Sequence, residues 1–297
     1  MRLSGPGEMV MRLAASKNAR SWSRVSMAIE IAIGEAILRT RLCTHLTLKW
    51  TSRLWFTLYE KAYAMIHRIL HVVTNIAHYT DPRMSTGLWL SELTHAWQVF
   101  EAHGFEQRLV SPHGGAVPLE PRSLSWPNLD TSAKHWLKTP ARMDLLSHTS
   151  HPTDIDPRDF DAIYFTGGHA VMWDFPNAVL LQEITRDIYE KGGIVSSVCH
   201  GYCGLLNTRL TDGSLLVNGR RLTGFSWREE VLAGVATQVP YNAEDQMKQR
   251  GALYEKKWLP FAPNVVVDGR LVTGQNPLSA KATAKQVVKQ LQQLHDR

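Results

Sequence analysis

Two residues with reactive side chains directly follow a predicted buried strand. The segment GGIVSSVCHGYCG, residues 192–204, begins with a β-branched, apolar stretch and then places Cys199, His200 and Gly201 in succession. A cysteine at this position can act as a nucleophile when a proton acceptor lies beside it, and histidine is the common acceptor. A buried structural cysteine is equally compatible with the position, so its neighbours must decide between the two interpretations.

The turn after the strand predicts a nucleophile elbow. A residue at a sharp strand-to-helix turn projects its side chain out of the sheet, and Gly201, two positions after Cys199, relieves crowding there. Amides at the start of the following helix favour negative charge, so we expect them to favour the Cys199 thiolate. Cys203 is interpreted as a small apolar filler, with a resolving thiol as the alternative.

Two further segments supply groups that suit cysteine chemistry. In TGGHAVMWD, residues 166–174, the glycines Gly167 and Gly168 expose backbone N–H groups that are able to stabilise an oxyanion. In LWLSELTHAW, Glu92 lies on a mostly apolar helix near the end of the first predicted strand. A carboxylate in such surroundings has a raised pKa and can carry protons near neutral pH, whereas the alternative is a solvated helix face.

Alternating strands and helices position these groups. Buried β-branched runs predict strands, and apolar residues at helical spacing predict helices. The pattern predicts an α/β sandwich with a mostly parallel sheet, whose ligand crevice lies at the carboxyl ends of its strands. The predicted strands are 67–77, 105–112, 161–168, 193–198 and 221–226, with a hairpin over 265–274; the predicted helices are 86–104, 177–193, a helix beginning after the elbow, EEVLAGV and 279–294.

The net positive charge of the chain comes from its first 66 residues. The 297 residues carry a net charge of +6, and residues 1–66 hold ten Lys and Arg against four Glu. Residues 67–297 are therefore balanced in charge, which does not support a nucleic-acid surface. We expect 1–66 to be a basic extension, disordered or helical, with no membrane span. Residues 67–297 form the folded domain, with an excursion at about 113–157 that contains one helix near 132–147.

Cysteine and histidine usage bears on compartment and metals. Three cysteines, Cys43, Cys199 and Cys203, and the lack of a CxxC pair argue against a disulfide framework or a thiolate zinc site. They favour a reducing compartment, so we expect a cytoplasmic protein, with organelle targeting by the basic segment as the alternative. The histidines in HTSH and SPHGG lack an acidic partner at ligand spacing, so no metal and no other cofactor is predicted.

Five segments together form a recognisable pattern: GLWLSELTHAW, YFTGGHAVMWDFP, GGIVSSVCHG, LTGFSWREE and DGRLVTGQNP. Through these motifs, residues from about 67 to 295 resemble the ThiJ/PfpI superfamily, and most of all its heat-shock, glutathione-independent glyoxalase (glyoxalase III) branch. GLWLSELTHAW matches the glutamate-bearing segment of the family. The resemblance implies a flavodoxin-like three-layer sandwich of the class I glutamine amidotransferase type. It further implies a small aldehyde substrate and a homodimer.

The resemblance also implies roles for individual residues. Cys199 corresponds to the nucleophile and His200 to its histidine, while Glu92 corresponds to the carboxyl that bonds the sulfur and moves protons. Glu230 corresponds to the acid that orients His200, with Glu229 as the alternative. Gly167, Gly168 and His169 form the turn whose amides face the substrate oxygen.

Three departures from the family pattern leave the substrate open. Tyr202, Ala170 and Trp227 replace the usual residues beside the expected pocket, although the reacting groups are unchanged. The preferred hypothesis is conversion of a 2-oxoaldehyde such as methylglyoxal to D-lactate through a Cys199 hemithioacetal. A deglycase, a cysteine hydrolase and a stress-protective holding chaperone are the alternatives. A glutamine amidotransferase is disfavoured because no His-x-Glu pair follows Asn276.

Overall fold

The computed structural model describes residues 67–295 of the chain. The predicted extension 1–66 lies outside the described residues, so that domain division stays a prediction. No helix among the described residues is both long and apolar enough to cross a lipid bilayer. The described chain forms eight strands, β1 to β8, at Arg68–Val72, Glu106–Val110, Ala162–Phe165, Ile194–Val198, Arg221–Leu222, Leu253–Tyr254, Val265–Asp268 and Leu271–Gly274.

Eight α-helices and several short 3-10 turns connect these strands. The helices are numbered α1 to α8 and lie at Leu90–Ala102, Thr131–Leu137, Pro140–Ser147, Val171–Asp174, Val179–Glu190, Trp227–Leu232, Ala243–Gln249 and Ala280–His295. The predicted helices 86–104, 177–193 and 279–294 correspond to α1, α5 and α8. Gly104 adopts a φ of +74° just after α1, which is the left-handed backbone that ends many helices.

The central sheet is six-stranded, with the order β2-β1-β3-β4-β8-β7. All pairs are parallel except β7 with β8, which form the predicted hairpin around Asp268 and Gly269. The predicted flavodoxin-like α/β sandwich with a mostly parallel sheet is confirmed. Parallel strands present their carboxyl ends at one edge, so the segments after β1, β3 and β4 meet there.

Alternate side chains of each central strand enter opposite core layers. On β3, Tyr164 packs with Val99 and Phe100 of α1 and with the apolar face of α8, whereas Phe165 packs on the opposite layer with Ile184 of α5. Burial on both faces explains why these strands are almost wholly apolar rather than alternating. The two layers fix α1 against one face of the sheet, and α1 carries Glu92.

Three predicted elements differ from the structure. The helix expected near 132–147 is two helices, α2 and α3, because Pro140 starts a new helix and cannot continue the previous one. The strand expected over 221–226 is reduced to Arg221–Leu222, which pairs with β6 in a separate two-stranded sheet. The helix expected after Cys199 is a 3-10 helix, Cys199–Leu205.

Candidate active site

Cys199 lies at a strained turn where β4 ends. Its φ is +55°, a left-handed conformation that is rare for a side chain larger than glycine, whereas the preceding Val198 is extended. Gly201 is required in this turn, since a Cβ there would lie 2.3 Å from the Phe165 carbonyl oxygen. Strain of this kind costs about 1–3 kcal/mol and is retained where a side chain must be presented in one direction. The local backbone therefore has the geometry of a nucleophile elbow.

The neighbouring histidine is oriented toward the sulfur. His200 Nδ1 lies 3.3 Å from Cys199 Sγ, and His200 Nε2 lies 2.7 Å from Glu230 Oε2. Burial raises the pKa of Glu230, but the two imidazoles that contact it hold the pKa below its usual range overall. Because an ionised carboxylate only accepts hydrogen bonds, Nε2 of His200 carries a proton, and in the neutral ring Nδ1 then offers its lone pair to the thiol. This tautomer can take a proton from Cys199.

Glu92 is wholly buried and interacts with the Cys199 thiol. Its Oε2 accepts a 2.7 Å hydrogen bond from the Gly167 amide, and its carboxyl shares a hydrogen bond with the Cys199 thiol. Oε1 has no hydrogen-bond partner among residues 67–295. Burial raises the pKa of Glu92 to about 8, against the two hydrogen bonds that lower it. The carboxyl is therefore mostly protonated at neutral pH and stays within reach of the reacting sulfur.

The surroundings of Cys199 do not favour a free thiolate. Burial raises the pKa of its thiol well above the ordinary value, and Glu92 raises it further. The His200 backbone N–H acts in the opposite direction and lowers this pKa, but its effect is smaller than that of burial. The amide after Cys199 therefore favours the thiolate as expected, but burial outweighs it, and the net pKa lies above the ordinary value. Activation of the sulfur instead requires transfer of its proton to His200.

The glycine turn after β3 uses its amides in two ways. The Gly167 N–H donates to Glu92, so it is not available to an oxyanion, although the sequence predicted that role for it. The next residues, Gly168 and His169, line the pocket with Cys199, and their amides have no acceptor within residues 67–295. Gly168 adopts a φ of +113°, and a Cβ there would lie 2.2 Å from the Gly87 carbonyl oxygen, so only glycine fits.

The side chain of His169 extends the hydrogen-bond network, which the sequence did not indicate. Its Nε2 lies 2.6 Å from Glu230 Oε1, and its Nδ1 lies 2.9 Å from Arg122 Nη2. A guanidinium only donates, so Nδ1 of His169 accepts and Nε2 donates to Glu230. Burial, together with His200, lowers the pKa of His169 to about 4, which keeps this ring neutral.

Arg122 and its partners were also missed from the sequence. Arg122 Nε donates to Glu120 Oε1 at 2.8 Å, and Nη2 also makes a short hydrogen bond with Tyr79 Oη. The Glu120 carboxylate is buried, and its Oε2 accepts a 2.8 Å bond from Thr86. The Glu120-x-Arg122 spacing in PLEPRSL is a weak signal, because such pairs are common on exposed turns, as Asp156 and Arg158 show.

The choice between Glu229 and Glu230 follows from the start of α6. Glu230 points toward the two histidines, whereas Glu229 forms a capping box with Ser226. The Glu229 carboxylate also accepts hydrogen bonds from Gln275 and Asn276. Adjacent helix residues point about 100° apart, so only one of the two glutamates can face His200.

These groups meet at a pocket of about 540 Å³. Cys199, 3% exposed, lines this pocket, whereas Glu92 is wholly buried and does not line it. The segment 122–130, from the excursion, supplies much of one wall. Tyr202, Ala170 and Trp227, which were expected beside the pocket, do not line it. The pocket wall is formed by Trp89, Ser91, His95, Arg122, Ser125, Pro127, Asn128, Asp130, Gly168, His169, Cys199, His200, Phe225, Ala233, Phe261, Asn276, Pro277 and Leu278.

Three buried residues at this site have the composition of a metal-ligand set. Among the described residues, ligand atoms of His169, His200 and Glu230 all lie within 4.8 Å of one another. Sequence spacing did not reveal this set because it joins three separate segments. The two imidazole Nε2 atoms already bond to separate oxygens of Glu230, so the three residues satisfy one another as a hydrogen-bonded network.

Comparison with known proteins identifies a protein family and several relatives that are similar to this chain. The profile of the DJ-1/PfpI family matches residues 85–290. Glyoxalase 3 of Candida albicans is 33% identical over 223 residues, covering 72% of this chain and 93% of that protein. A glutathione-independent glyoxalase of Saccharomyces cerevisiae is 31% identical over 227 residues, covering 71% and 91%.

Two solved structures show the same fold as this chain. The crystal structure of glyoxalase III from Candida albicans aligns with a TM-score of 0.69 and 30% identity, covering 75% of this chain and 97% of that one. The Rapid Encystment Protein 24 KDa of Francisella tularensis aligns with a TM-score of 0.73 and 32% identity, covering 76% and 99%. Both therefore share the fold over nearly their whole length.

Proposed function

The chain belongs to the DJ-1/PfpI family, and on that premise we propose that it is a glutathione-independent glyoxalase, a cysteine-dependent lyase that converts 2-oxoaldehydes to 2-hydroxy acids. One observation carries the proposal. The Cys199 thiol lines a pocket, 3.3 Å from the imidazole of His200, and also contacts the buried Glu92 carboxyl. A sulfur between a proton acceptor and a carboxyl of raised pKa has the groups that hemithioacetal chemistry requires.

The first step is addition of the sulfur to the aldehyde carbon, C1. His200 Nδ1 takes the thiol proton as the S–C1 bond forms. The proton then passes to the aldehyde oxygen, which leaves a neutral hemithioacetal. The unpartnered amides of Gly168 and His169 are the donors for the developing oxyanion. Glu230 holds Nε2 of His200, so that Nδ1 stays directed at the sulfur.

The second step moves a proton from C1 to the ketone carbon, C2. The ionised fraction of Glu92 removes the C1 proton, which gives an enediolate with its charge on the C2 oxygen. The proton of the C1 hydroxyl passes to that oxygen, and Glu92 returns its own proton to C2, which gives a 2-hydroxyacyl thioester. A base with a pKa of about 8 is stronger than an ordinary carboxylate, which favours this abstraction. Water then hydrolyses the thioester, releasing the 2-hydroxy acid and restoring the thiol. One water is consumed overall, C1 is oxidised and C2 is reduced, and no outside oxidant is required.

The decisive experiment follows D-lactate formation from methylglyoxal by purified protein without glutathione. We expect turnover by the wild type and by Cys203→Ala, whose thiol is buried in the core, and none by Cys199→Ala. Full activity of Cys199→Ala would exclude the mechanism. Suppression of client aggregation by Cys199→Ala, without any turnover by the wild type, would instead favour the holding chaperone.

Two further properties belong to this proposal. A reduced thiol is required for turnover, so we propose that the protein works in a reducing compartment such as the cytoplasm. The homodimer implied by the family resemblance stays a prediction, and its test is the molar mass in solution.

A further inference from the structure

Arg122 offers the pocket two unused hydrogen-bond donors. Its Nε donates to Glu120, and its Nη2 is engaged by Tyr79 and His169. The remaining nitrogen, Nη1, has no partner among residues 67–295. The Arg122 side chain is 37% exposed, and the residue lines the same pocket as Cys199. A guanidinium has five N–H groups and no acceptor. The two N–H groups of Nη1 are therefore suited to an anionic oxygen.

The contacts of Arg122 also fix the position of its guanidinium. Three side chains hold the plane, and the Glu120 carboxylate behind it is only 1% exposed. A guanidinium held in place loses little freedom when it binds a carboxylate, which strengthens recognition. The charge is therefore both pre-positioned and open on one side.

The rest of the pocket favours a single carboxylate as the ligand. Arg122 is the only arginine or lysine among the described residues that line it. Asp130, the acidic residue in the wall, has one oxygen on His95 Nε2 and the other on the Ala133 amide, so both of its oxygens are engaged. One free cationic nitrogen matches a monoanion better than a phosphate dianion, which normally draws several donors.

The volume of the pocket points to a substrate longer than three carbons. Pockets of about 300–1,000 Å³ hold drug-sized ligands, and this pocket is about 540 Å³. A three-carbon aldehyde bonded to Cys199 leaves most of that space empty. A chain that extends from C2 would occupy it and bring a terminal group toward Arg122.

We propose that this site selects 2-oxoaldehydes that carry a terminal carboxylate, with Arg122 Nη1 as the group that binds it. The proposal rests on the proposed glyoxalase function and adds a substrate class to it. For 4,5-dioxopentanoate the reaction balances as before: the aldehyde carbon becomes a carboxylate, the ketone carbon becomes an alcohol, one water is added, and 2-hydroxyglutarate is formed.

The test compares 4,5-dioxopentanoate with 2-oxopentanal, a neutral 2-oxoaldehyde with the same number of carbons. We expect kcat/KM to favour the anionic substrate by about tenfold or more, as for a hydrogen bond to a charged group. Arg122→Gln should remove this preference. Because Arg122 contacts His169, the substitution can also change the turnover of both substrates, but that effect is common to the two and does not alter their ratio. Arg158→Gln removes a similarly spaced ion pair with Asp156 outside the pocket and should keep the preference. Equal efficiency in the wild type, or a preference that survives Arg122→Gln, overturns the proposal.

A binding measurement separates this proposal from the proposed function. By calorimetry, 2-hydroxyglutarate should bind the wild type and Arg158→Gln more tightly than 2-hydroxypentanoate does, and this difference should be lost in Arg122→Gln. If neither aldehyde is turned over but the Arg122-dependent difference remains, the glyoxalase function fails and the carboxylate site stands. If the two acids bind equally, the carboxylate site is overturned even where methylglyoxal is a substrate. Should Arg122→Gln not fold, Arg122→Met, which also removes the guanidinium and its charge, replaces it, and the difference between the two acids should again be lost.

Discussion

Nε2 of His169 lies 2.6 Å from Oε1 of Glu230, while the other oxygen of the same carboxylate binds His200. Glu230 is thus shared between the histidine beside the nucleophile and a second histidine that reaches Arg122. The hydrogen bonds run without interruption from Cys199 to Glu120. One network therefore positions His200, beside the sulfur, and Arg122, in the pocket wall.

The adjacent glutamates should have separable effects. Glu230→Gln replaces one accepting oxygen with an amide and leaves a histidine without its acceptor, so we expect kcat for methylglyoxal to fall by about 10²-fold or more. Glu229→Gln disturbs the capping box and the bonds from Gln275 and Asn276, so it should lower the free energy of unfolding by about 1–3 kcal/mol. Steady-state kinetics and urea unfolding of both variants test the assignment. A larger loss of kcat in Glu229→Gln would reverse it.

Turnover should increase with pH up to about 8. Only the ionised form of Glu92 can remove the C1 proton, and burial raises the pKa of this group to about 8. Below that value log kcat should rise by about one for each pH unit, as for a single ionising base. The pH profile of D-lactate formation measures this, and Glu92→Gln should reduce turnover and lose the slope. A profile that is flat between pH 6 and 8 would contradict the assigned role.

Glu92 should also make stability depend on pH. In the unfolded chain it ionises near 4.5, whereas in the folded protein it keeps its proton up to about 8. The folded state therefore binds more protons in this window, and its stability falls as pH rises, by about 1.4 kcal/mol per pH unit. Glu92→Gln cannot ionise and should lack this contribution. Urea unfolding of both proteins at pH 5, 6 and 7 gives the difference; a constant difference would mean that the pKa is not raised.

The strain of the left-handed backbone at Cys199 should be measurable as a difference in stability between two variants. Cys199→Ala keeps a Cβ at a φ of +55°, while Cys199→Gly relieves the strain. Glycine normally lowers stability because it gives the unfolded chain more conformational entropy. Here we nevertheless expect Cys199→Gly to be more stable than Cys199→Ala by about 1 kcal/mol. Thermal or urea unfolding of the two variants provides the comparison. Higher stability of the alanine variant would show that the turn is not strained.

Much of the fold followed from local patterns. Apolar β-branched runs predicted the strands β1 to β4, and helical spacing predicted α1, α5 and α8, because burial on both faces of a parallel sheet leaves a clear periodic signal. The boundary errors occurred where a local rule was overridden. Pro140 divided one expected helix into two, and the expected strand at 221–226 shortened because only Arg221–Leu222 found a partner strand.

Local sequence patterns identified the candidate reactive residues and their order along the chain: Cys199 after a strand, His200 beside it, and Glu92 on the first long helix. Only the tertiary structure decided which groups surround them. It assigned Glu230 rather than Glu229 to His200, gave the Gly167 amide to Glu92, and brought Arg122 into the pocket. The physical reason is that strands and turns reflect neighbouring residues, whereas hydrogen-bond partners and pKa values depend on burial and on side chains that distant segments bring together.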